Sequence, residues 1–174
     1  MKRKVIIISI LSILIIIAGT AAFYNFVLAS NRLQSPNGEY LATYNRLTET
    51  VTVSSQTRDI EWRIQNGTDP EFLWSPNSRQ LVIITTYSNG MRLSNIMEVE
   101  RNSSVHVPSD VAWLGQAAEF GVIHADSVEV TQWLDDNSVA VQFSWFNAEQ
   151  GKTVSGQYVF IMPDYEIKEL TIND

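Results

Sequence analysis

The chain has 174 residues, no cysteine, 45% hydrophobic and 18% charged residues, and a formal net charge of −7. This length suits a single domain, and the composition excludes both a polytopic membrane protein and a disordered chain. The absence of cysteine excludes a disulfide-stapled fold, a thiol nucleophile and a cysteine-ligated metal.

The N-terminus carries a basic start followed by an apolar run. Residues 1–4 include Lys2, Arg3 and Lys4, and residues 5–29 contain no charged side chain. A helix of 25 residues is about 37 Å long, which is enough to cross a hydrocarbon core of about 30 Å. Basic residues before such a span keep the N-terminus in the cytoplasm. The sequence therefore predicts a single-pass transmembrane anchor over 5–29.

The same features also occur in a cleaved signal peptide, although its apolar core is usually only about 7–15 residues long. We therefore favour the uncleaved anchor, followed by a linker over 30–34 and an extracytoplasmic domain over 35–174. The predicted localisation is the cell membrane, with the C-terminal domain outside.

The predicted exported part is strongly acidic. Residues 30–174 hold 9 basic and all 19 acidic side chains, a net charge of −10. Such a surface repels phosphate backbones, so we expect no nucleic-acid partner.

Beyond the apolar run the hydrophobic pattern has the period of two that is typical of β-strands. Turn residues such as Ser-Pro-Asn-Gly and Asp-Asp-Asn bound the apolar stretches, which predicts an all-β domain. One short helix is predicted over 109–120, weakened by Gly115 at its centre. The clearest predicted strands are 40–44, 50–53, 81–87, 139–143 and 158–162.

The turns repeat along the chain. Residues 35–42 (SPNGEYLA) and 74–83 (WSPNSRQLVI) are versions of one unit, forty residues apart. Residues 133–141 (WLDDNSVAV) form a third copy that keeps the tryptophan but lacks the proline. Trp74 and Trp133 then occupy equivalent positions, which predicts that both pack between sheets. The 59 residues between Trp74 and Trp133 exceed the forty-residue repeat, which predicts an insertion within 103–130. About 40 residues is also the length of one four-stranded propeller blade.

These units resemble the TolB-like β-propeller repeat, whose signature is W-S-P-[DN]-[GS]-x-x-[IL]-[AV]. Residues 51–60 resemble the outer strands of such a blade, with Arg58 where the family favours glycine, and 158–171 resemble them again and end in Leu-Thr. The resemblance covers about three units within 35–174. It implies a blade-like architecture and says almost nothing about activity.

Three units are fewer than the four to eight blades of a closed propeller. The expected fold is therefore about three antiparallel blade-like repeats, arranged as a partial propeller or as a stacked β-sandwich. An open array has edge strands and would permit self-association. Glu166, Glu169 and Asp174 on the last strand could protect such an edge, or they could be ordinary surface.

Motifs of catalysis and of cofactor binding are absent from the sequence. A Ser-His-Asp triad could be assembled from either His106 or His124, but the spacing does not favour it. A metal site could combine the two histidines with Asp110 and Asp126, which any acidic β domain would also supply. Asp135 is interpreted as a turn residue rather than a ligand. We expect no cofactor and no metal.

Aromatic and histidine side chains outside the repeat are the candidate binding surface: Trp113, His124, Trp145 and Phe146. The sequence thus predicts a membrane-anchored, extracytoplasmic interaction or scaffolding module that contacts a protein or a cell-envelope component. The alternative is an exported hydrolase, or a small-molecule-binding sensor, with its site near 103–130.

Overall fold

The computed structural model describes residues 31–64, 67–109 and 125–173. Every regular element in these ranges is a β-strand. The predicted anchor over 5–29 and nearly all of the predicted helix over 109–120 lie outside the described residues. Within them, no helix has the length and hydrophobicity needed to cross a membrane.

Twelve strands are formed by the described residues. Residues 31–34, predicted to be a linker, form the first of them. The strands are β1 (Asn31–Gln34), β2 (Leu41–Asn45), β3 (Thr50–Ser54), β4 (Asp59–Arg63), β5 (Gly67–Trp74), β6 (Gln80–Tyr87), β7 (Arg92–Glu98), β8 (Ser103–His106), β9 (Ser127–Trp133), β10 (Ser138–Asn147), β11 (Lys152–Ile161) and β12 (Glu166–Asn173).

The strands form three consecutive antiparallel units. Strands β1 to β4 make one four-stranded sheet in which each strand pairs with the next. Strands β5 to β8 and β9 to β12 repeat this arrangement. A single parallel pairing of Leu93 with Val128 joins the second unit to the third. The predictions of an all-β domain and of about three repeats are confirmed.

Tryptophan side chains connect the first strands of the units. Trp74 Nε1 donates to the Leu33 carbonyl at 3.1 Å, and Trp133 Nε1 donates to the Leu73 carbonyl at the same distance. Leu33 and Leu73 are equivalent residues, each two positions before the Ser-Pro-Asn turn of its unit. The two hydrogen bonds are therefore equivalent. They place β5 between β1 and β9, and they confirm the alignment of Trp74 with Trp133.

The Ser-Pro-Asn turn is held by its own side chains. In the second unit the Ser75 hydroxyl donates to Asn77 Oδ1 at 2.8 Å and accepts from the Gln80 backbone N–H at 3.0 Å. Asn77 Oδ1 also accepts from the Arg79 N–H at 3.0 Å. The same three bonds, at the same distances, recur within residues 35–40. This is why the two turns share their Ser-Pro-Asn sequence.

Adjacent turns are also bonded to one another. The fourth turn residue has a positive φ in both units, 77° at Gly38 and 63° at Ser78. Glycine adopts this conformation without steric cost, whereas serine does not. Ser78 is fully buried, and its hydroxyl accepts from the Asn37 N–H at 3.1 Å. Ser78 therefore has a less favourable backbone conformation than glycine would have, and its side chain gains a hydrogen bond between the units.

Two separate cores lie on either side of the second unit. On β6, Leu81 and Ile83 pack with the first unit, whereas Val82 and Ile84 pack with the third. All four side chains are buried. A strand that is buried on both faces needs apolar residues at every position, which explains the uninterrupted run in β6.

The first and third units each bury one face and leave the other mostly polar, with apolar exceptions at Leu41 in the first unit and at Ala140, Phe146, Val159 and Ile161 in the third. A sheet face that packed against a further unit would need apolar side chains instead. The exposed or half-exposed polar residues are Thr43, Thr50, Thr52, Ser54, Glu61 and Arg63 in the first unit, and Gln142, Ser144, Ser155, Gln157, Thr171 and Asn173 in the third.

The last strand, β12, is an edge of its sheet. Its pairing with β11 is interrupted by a register shift, and Glu169 within the shifted stretch has a positive φ of 55°. Glu166 and Glu169 are exposed, whereas Asp174 lies outside the described residues. Charges and irregular pairing both hinder the addition of another strand.

We predict that Trp74→Phe and Trp133→Phe each lower the free energy of unfolding by about 1–2 kcal/mol, because each leaves a strand carbonyl without its donor. Urea denaturation of the two variants measures this. Trp62→Phe is the control, since the half-buried Trp62 indole makes no hydrogen bond to the described residues, and it should cost less. An equal loss in all three variants would contradict a role for the Nε1 bonds.

Candidate binding surface

The two residues that flank the insertion lie together and are joined by a backbone hydrogen bond. The Ala125 N–H donates to the Ser109 carbonyl at 2.9 Å. These residues flank 110–124, so the intervening stretch begins and ends at a hydrogen-bonded pair. The prediction that an insertion falls within 103–130 agrees with this geometry.

A buried tyrosine fixes the base of the insertion. The Tyr158 hydroxyl donates to the Pro108 carbonyl at 2.5 Å, and both residues are buried. On the preceding residue, the Val107 N–H donates to the Ser94 carbonyl at 3.2 Å. Burial raises the pKa of Tyr158 far above its ordinary value, because the phenolate would lose its hydration. The phenol therefore stays neutral and remains a hydrogen-bond donor.

Aromatic rings surround this tyrosine. The Phe143 ring centroid lies 5.8 Å from that of Tyr158 and 5.9 Å from that of Trp145. Gly156 on β11 makes room for the Phe143 ring, since a Cβ there would lie 2.5 Å from the Thr171 carbonyl and closer still to the ring. The cluster joins the core between the second and third units to the base of the insertion.

Trp145 is buried, with only 4% of its surface exposed. The prediction that it contributes to an exposed binding surface is therefore wrong. Strand β10 alternates, and Val141, Phe143 and Trp145 all point to the core. Reading that alternation forward from Val139 would have placed the tryptophan inside. Its Nε1 has no hydrogen-bond partner among the residues that the structure describes.

Phe146 occupies the opposite face of the same strand and is 60% exposed. Its N–H donates to Asp126 Oδ2 at 2.7 Å, while the Asp126 N–H donates to the Ser144 carbonyl at 2.9 Å. Phe146 thus projects beside the point where the insertion rejoins the array. Asp126, which the sequence offered as a metal ligand, fixes the backbone here.

Of the other candidate residues, one lies within the described ranges and three lie outside them. His106 ends β8 and is exposed. Trp113, His124 and Asp110 lie outside the described residues. Across 31–64, 67–109 and 125–173, no three His, Asp or Glu side chains are grouped closely enough to hold a metal ion.

Asp135 is a turn residue, as predicted. Its Oδ1 accepts from the N–H groups of Asn137 and Ser138 at 2.7 and 2.8 Å. These hydrogen bonds, that from Asn137 foremost, lower the pKa of the Asp135 carboxyl, because they favour its charged form. Both hydrogen bonds come from residues of the same turn. The Asp135 carboxylate therefore stabilises the third turn as the Ser75 and Asn77 side chains stabilise the second.

The chain matches no protein-family model and no curated protein. Among solved structures, it is similar to the β-propeller domain of the Trilobed protease from Pyrococcus furiosus, at 15% identity over 83% of this chain and 42% of that chain, with a TM-score of 0.45. It is similar to the acylaminoacyl peptidase of Pyrococcus horikoshii, at 11% identity over 87% and 26% of the two chains, with a TM-score of 0.48.

A third similar structure is the hydrazine synthase of Kuenenia stuttgartiensis, at 14% identity over 82% of this chain and 36% of that chain, with a TM-score of 0.46. The chain spans less than half the length of each of these three proteins. The likeness concerns the fold and does not extend to activity.

The buried phenol predicts sensitivity to alkali. The pKa of Tyr158 is raised in the folded chain, so the stability it contributes is complete below its ordinary pKa of 10.0 and falls as the pH rises above it. Relative to pH 8, the wild type at pH 11 should lose about 1.4 kcal/mol more than Tyr158→Phe in urea denaturation.

Tyr158→Phe should also be less stable at pH 8, by about 1 kcal/mol, because the Pro108 carbonyl loses its donor. Tyr44 is buried and its pKa is raised too, foremost by that burial, but its contribution is common to both proteins. Parallel stability curves between pH 8 and pH 11 would contradict the assignment to Tyr158.

Proposed function

We propose that this chain is a membrane-anchored, extracytoplasmic binding module whose three units are blades of an open propeller. The observation that carries the proposal is the base of the insertion, where Ser109 and Ala125 are hydrogen-bonded beside the exposed ring of Phe146. A long insertion displayed from a rigid scaffold is the usual construction of a recognition surface. The partner would be a protein or a component of the cell envelope.

Hydrogen bonds fix the backbone on both sides of the insertion. Tyr158 holds Pro108 on one side of the insertion, and Asp126 holds Phe146 on the other. A rigid base reduces the conformational entropy that is lost when a partner binds. An exposed aromatic ring on such a base is the type of residue that dominates binding energy at interfaces.

The open-propeller interpretation is supported by the order of the first strands. Strands β1, β5 and β9 lie side by side through the Trp74 and Trp133 bonds, as the inner strands of neighbouring blades would. Apart from Phe146, both outer faces carry mostly polar side chains, so neither is suited to a fourth blade. The same polarity gives self-association through these faces little apolar area to bury.

The location outside the membrane follows from the basic start and the uncharged residues 5–29. With their net charge of −10, residues 30–174 would avoid anionic lipid head groups and stand away from the surface.

The hydrolase alternative depends on residues 110 and 124 acting together with His106 or Asp126. Asp126 already accepts a backbone hydrogen bond from Phe146, which gives its carboxylate a structural use. We therefore place recognition ahead of catalysis.

Cross-linking from Phe146 tests the contact surface. With p-benzoylphenylalanine in place of Phe146, ultraviolet irradiation of intact cells should give one discrete covalent adduct, because the ring faces the partner. Leu47, which is 70% exposed in the first unit, is the matched control position and should give no such adduct. A discrete adduct from position 47 alone, or none from position 146, would contradict the proposal.

Protease accessibility tests the anchor. In spheroplasts, added protease should digest residues 35–174 while the undigested protein remains in the membrane fraction, because 5–29 span the bilayer. A protein that is released into the medium and begins after residue 22 or 29 would show a cleaved signal peptide instead.

A further inference from the structure

A polar crevice lies between the second and third units, at the end of the array that carries the Ser-Pro-Asn turns. It has a volume of about 220 Å³ and is distant from the insertion, which leaves from the opposite ends of the strands. The side chains that line it carry amide groups and form two ion pairs. It is lined by Asn77, Arg79, Gln80, Glu98, Arg101 and Asn137, with Glu100 and Pro163 at its margin.

Two hydrogen-bond acceptors lie side by side in this crevice. Gln80 and Glu98 are directly opposite one another on β6 and β7, so their side chains share a face. Gln80 Oε1 is shielded from solvent and has no partner among the described residues. The Glu98 side chain is only 21% exposed. A shielded acceptor without a donor is costly unless something fills the site. The two acceptors together suit a group with several N–H donors.

Two arginines flank these acceptors. Arg101 Nη1 lies 3.2 Å from Glu98 Oε2, and Arg79 Nε lies 3.8 Å from Glu100 Oε1. The two arginine side chains are 76% and 68% exposed, so solvent screens both pairs and each contributes little to stability. Either guanidinium can exchange its partner for another carboxylate at small cost, since its donor fork suits that group.

We infer that this crevice binds a small zwitterion of the amino-acid class. Its ammonium group donates to Gln80 Oε1 and to the Glu98 carboxylate, and its carboxylate pairs with Arg79 or Arg101. The volume is below the roughly 300–1,000 Å³ of sites for larger ligands, which matches an amino acid or a dipeptide. The site is independent of the function proposed above, because it uses none of the same residues.

The mixed charge of the site argues against simpler ligands. An anion alone would pair with the arginines but leave Gln80 Oε1 without a donor. An amine alone would reach Gln80 and Glu98 but would offer the two arginines no carboxylate. A ligand with both charges can donate to Gln80 Oε1 and accept from an arginine at the same time.

Isothermal titration calorimetry of the full chain in detergent tests the inference with glycine and glycylglycine as zwitterions, and methylamine and acetate as single charges. At least one zwitterion should bind, about 10-fold or more tightly than either single charge. No binding of either zwitterion, or equal binding of acetate, would overturn the inference. The two zwitterions distinguish an amino-acid site from a dipeptide site.

Variants locate the binding. Glu98→Gln and Gln80→Leu should each weaken binding of the zwitterion by about 10-fold or more, because the first removes the negative charge that faces the ammonium group and the second removes an acceptor. Arg101→Gln provides a further test at a side chain that is 76% exposed. Glu71→Gln is the matched control, since Glu71 pairs with Arg92 at 2.8 Å outside the crevice. Unchanged affinity in folded Glu98→Gln and Arg101→Gln proteins, shown by their melting temperatures, would contradict the site.

Discussion

The hydrogen bond from a tryptophan Nε1 to a strand carbonyl of the preceding unit sets the geometry of this protein. It occurs twice, from Trp74 to Leu33 and from Trp133 to Leu73, and both bonds are 3.1 Å long. Because the carbonyl belongs to a fixed residue of each repeat, the bond aligns the first strands in register. That register gathers the turns at one end of the array and the insertion at the other. The two candidate sites are far apart for this reason.

Packing then assigns different roles to units that share one sequence pattern. The second unit is buried on both faces, as Leu81 and Val82 show, and it separates the two cores. The first and third units bury one face each and turn Thr, Ser and Gln side chains outward. A single repeat sequence could not meet both requirements, because burial on two faces excludes the alternation that a solvated face needs. The divergence among the repeats therefore follows from their order in the stack.

Much of this architecture was predictable from local chemistry. The Ser-Pro-Asn turns, the three units and the equivalence of Trp74 and Trp133 depend on short-range patterns, which the sequence displays directly. Burial of Trp145 was missed because the predicted strand stopped at 143, whereas the alternation continues and β10 stays paired with β11 as far as Asn147. Strand β1 was missed because its residues are mostly polar and exposed, and long-range bonds to β5 order them. The crevice beside Gln80 was not predictable, since it forms between units.

Ser78 has a consequence for how the array unfolds. In a chain of independent repeats, stability would be a sum of terms, and an end unit could open while the others remained folded. The Ser78 hydroxyl, together with its left-handed backbone, is useful only when the turn of the first unit is in place to donate from Asn37. Loss of the first unit would remove that partner and leave the positive φ of Ser78 without its compensating contact. The second unit is therefore destabilised as soon as the first one opens, and the two should melt as one cooperative body.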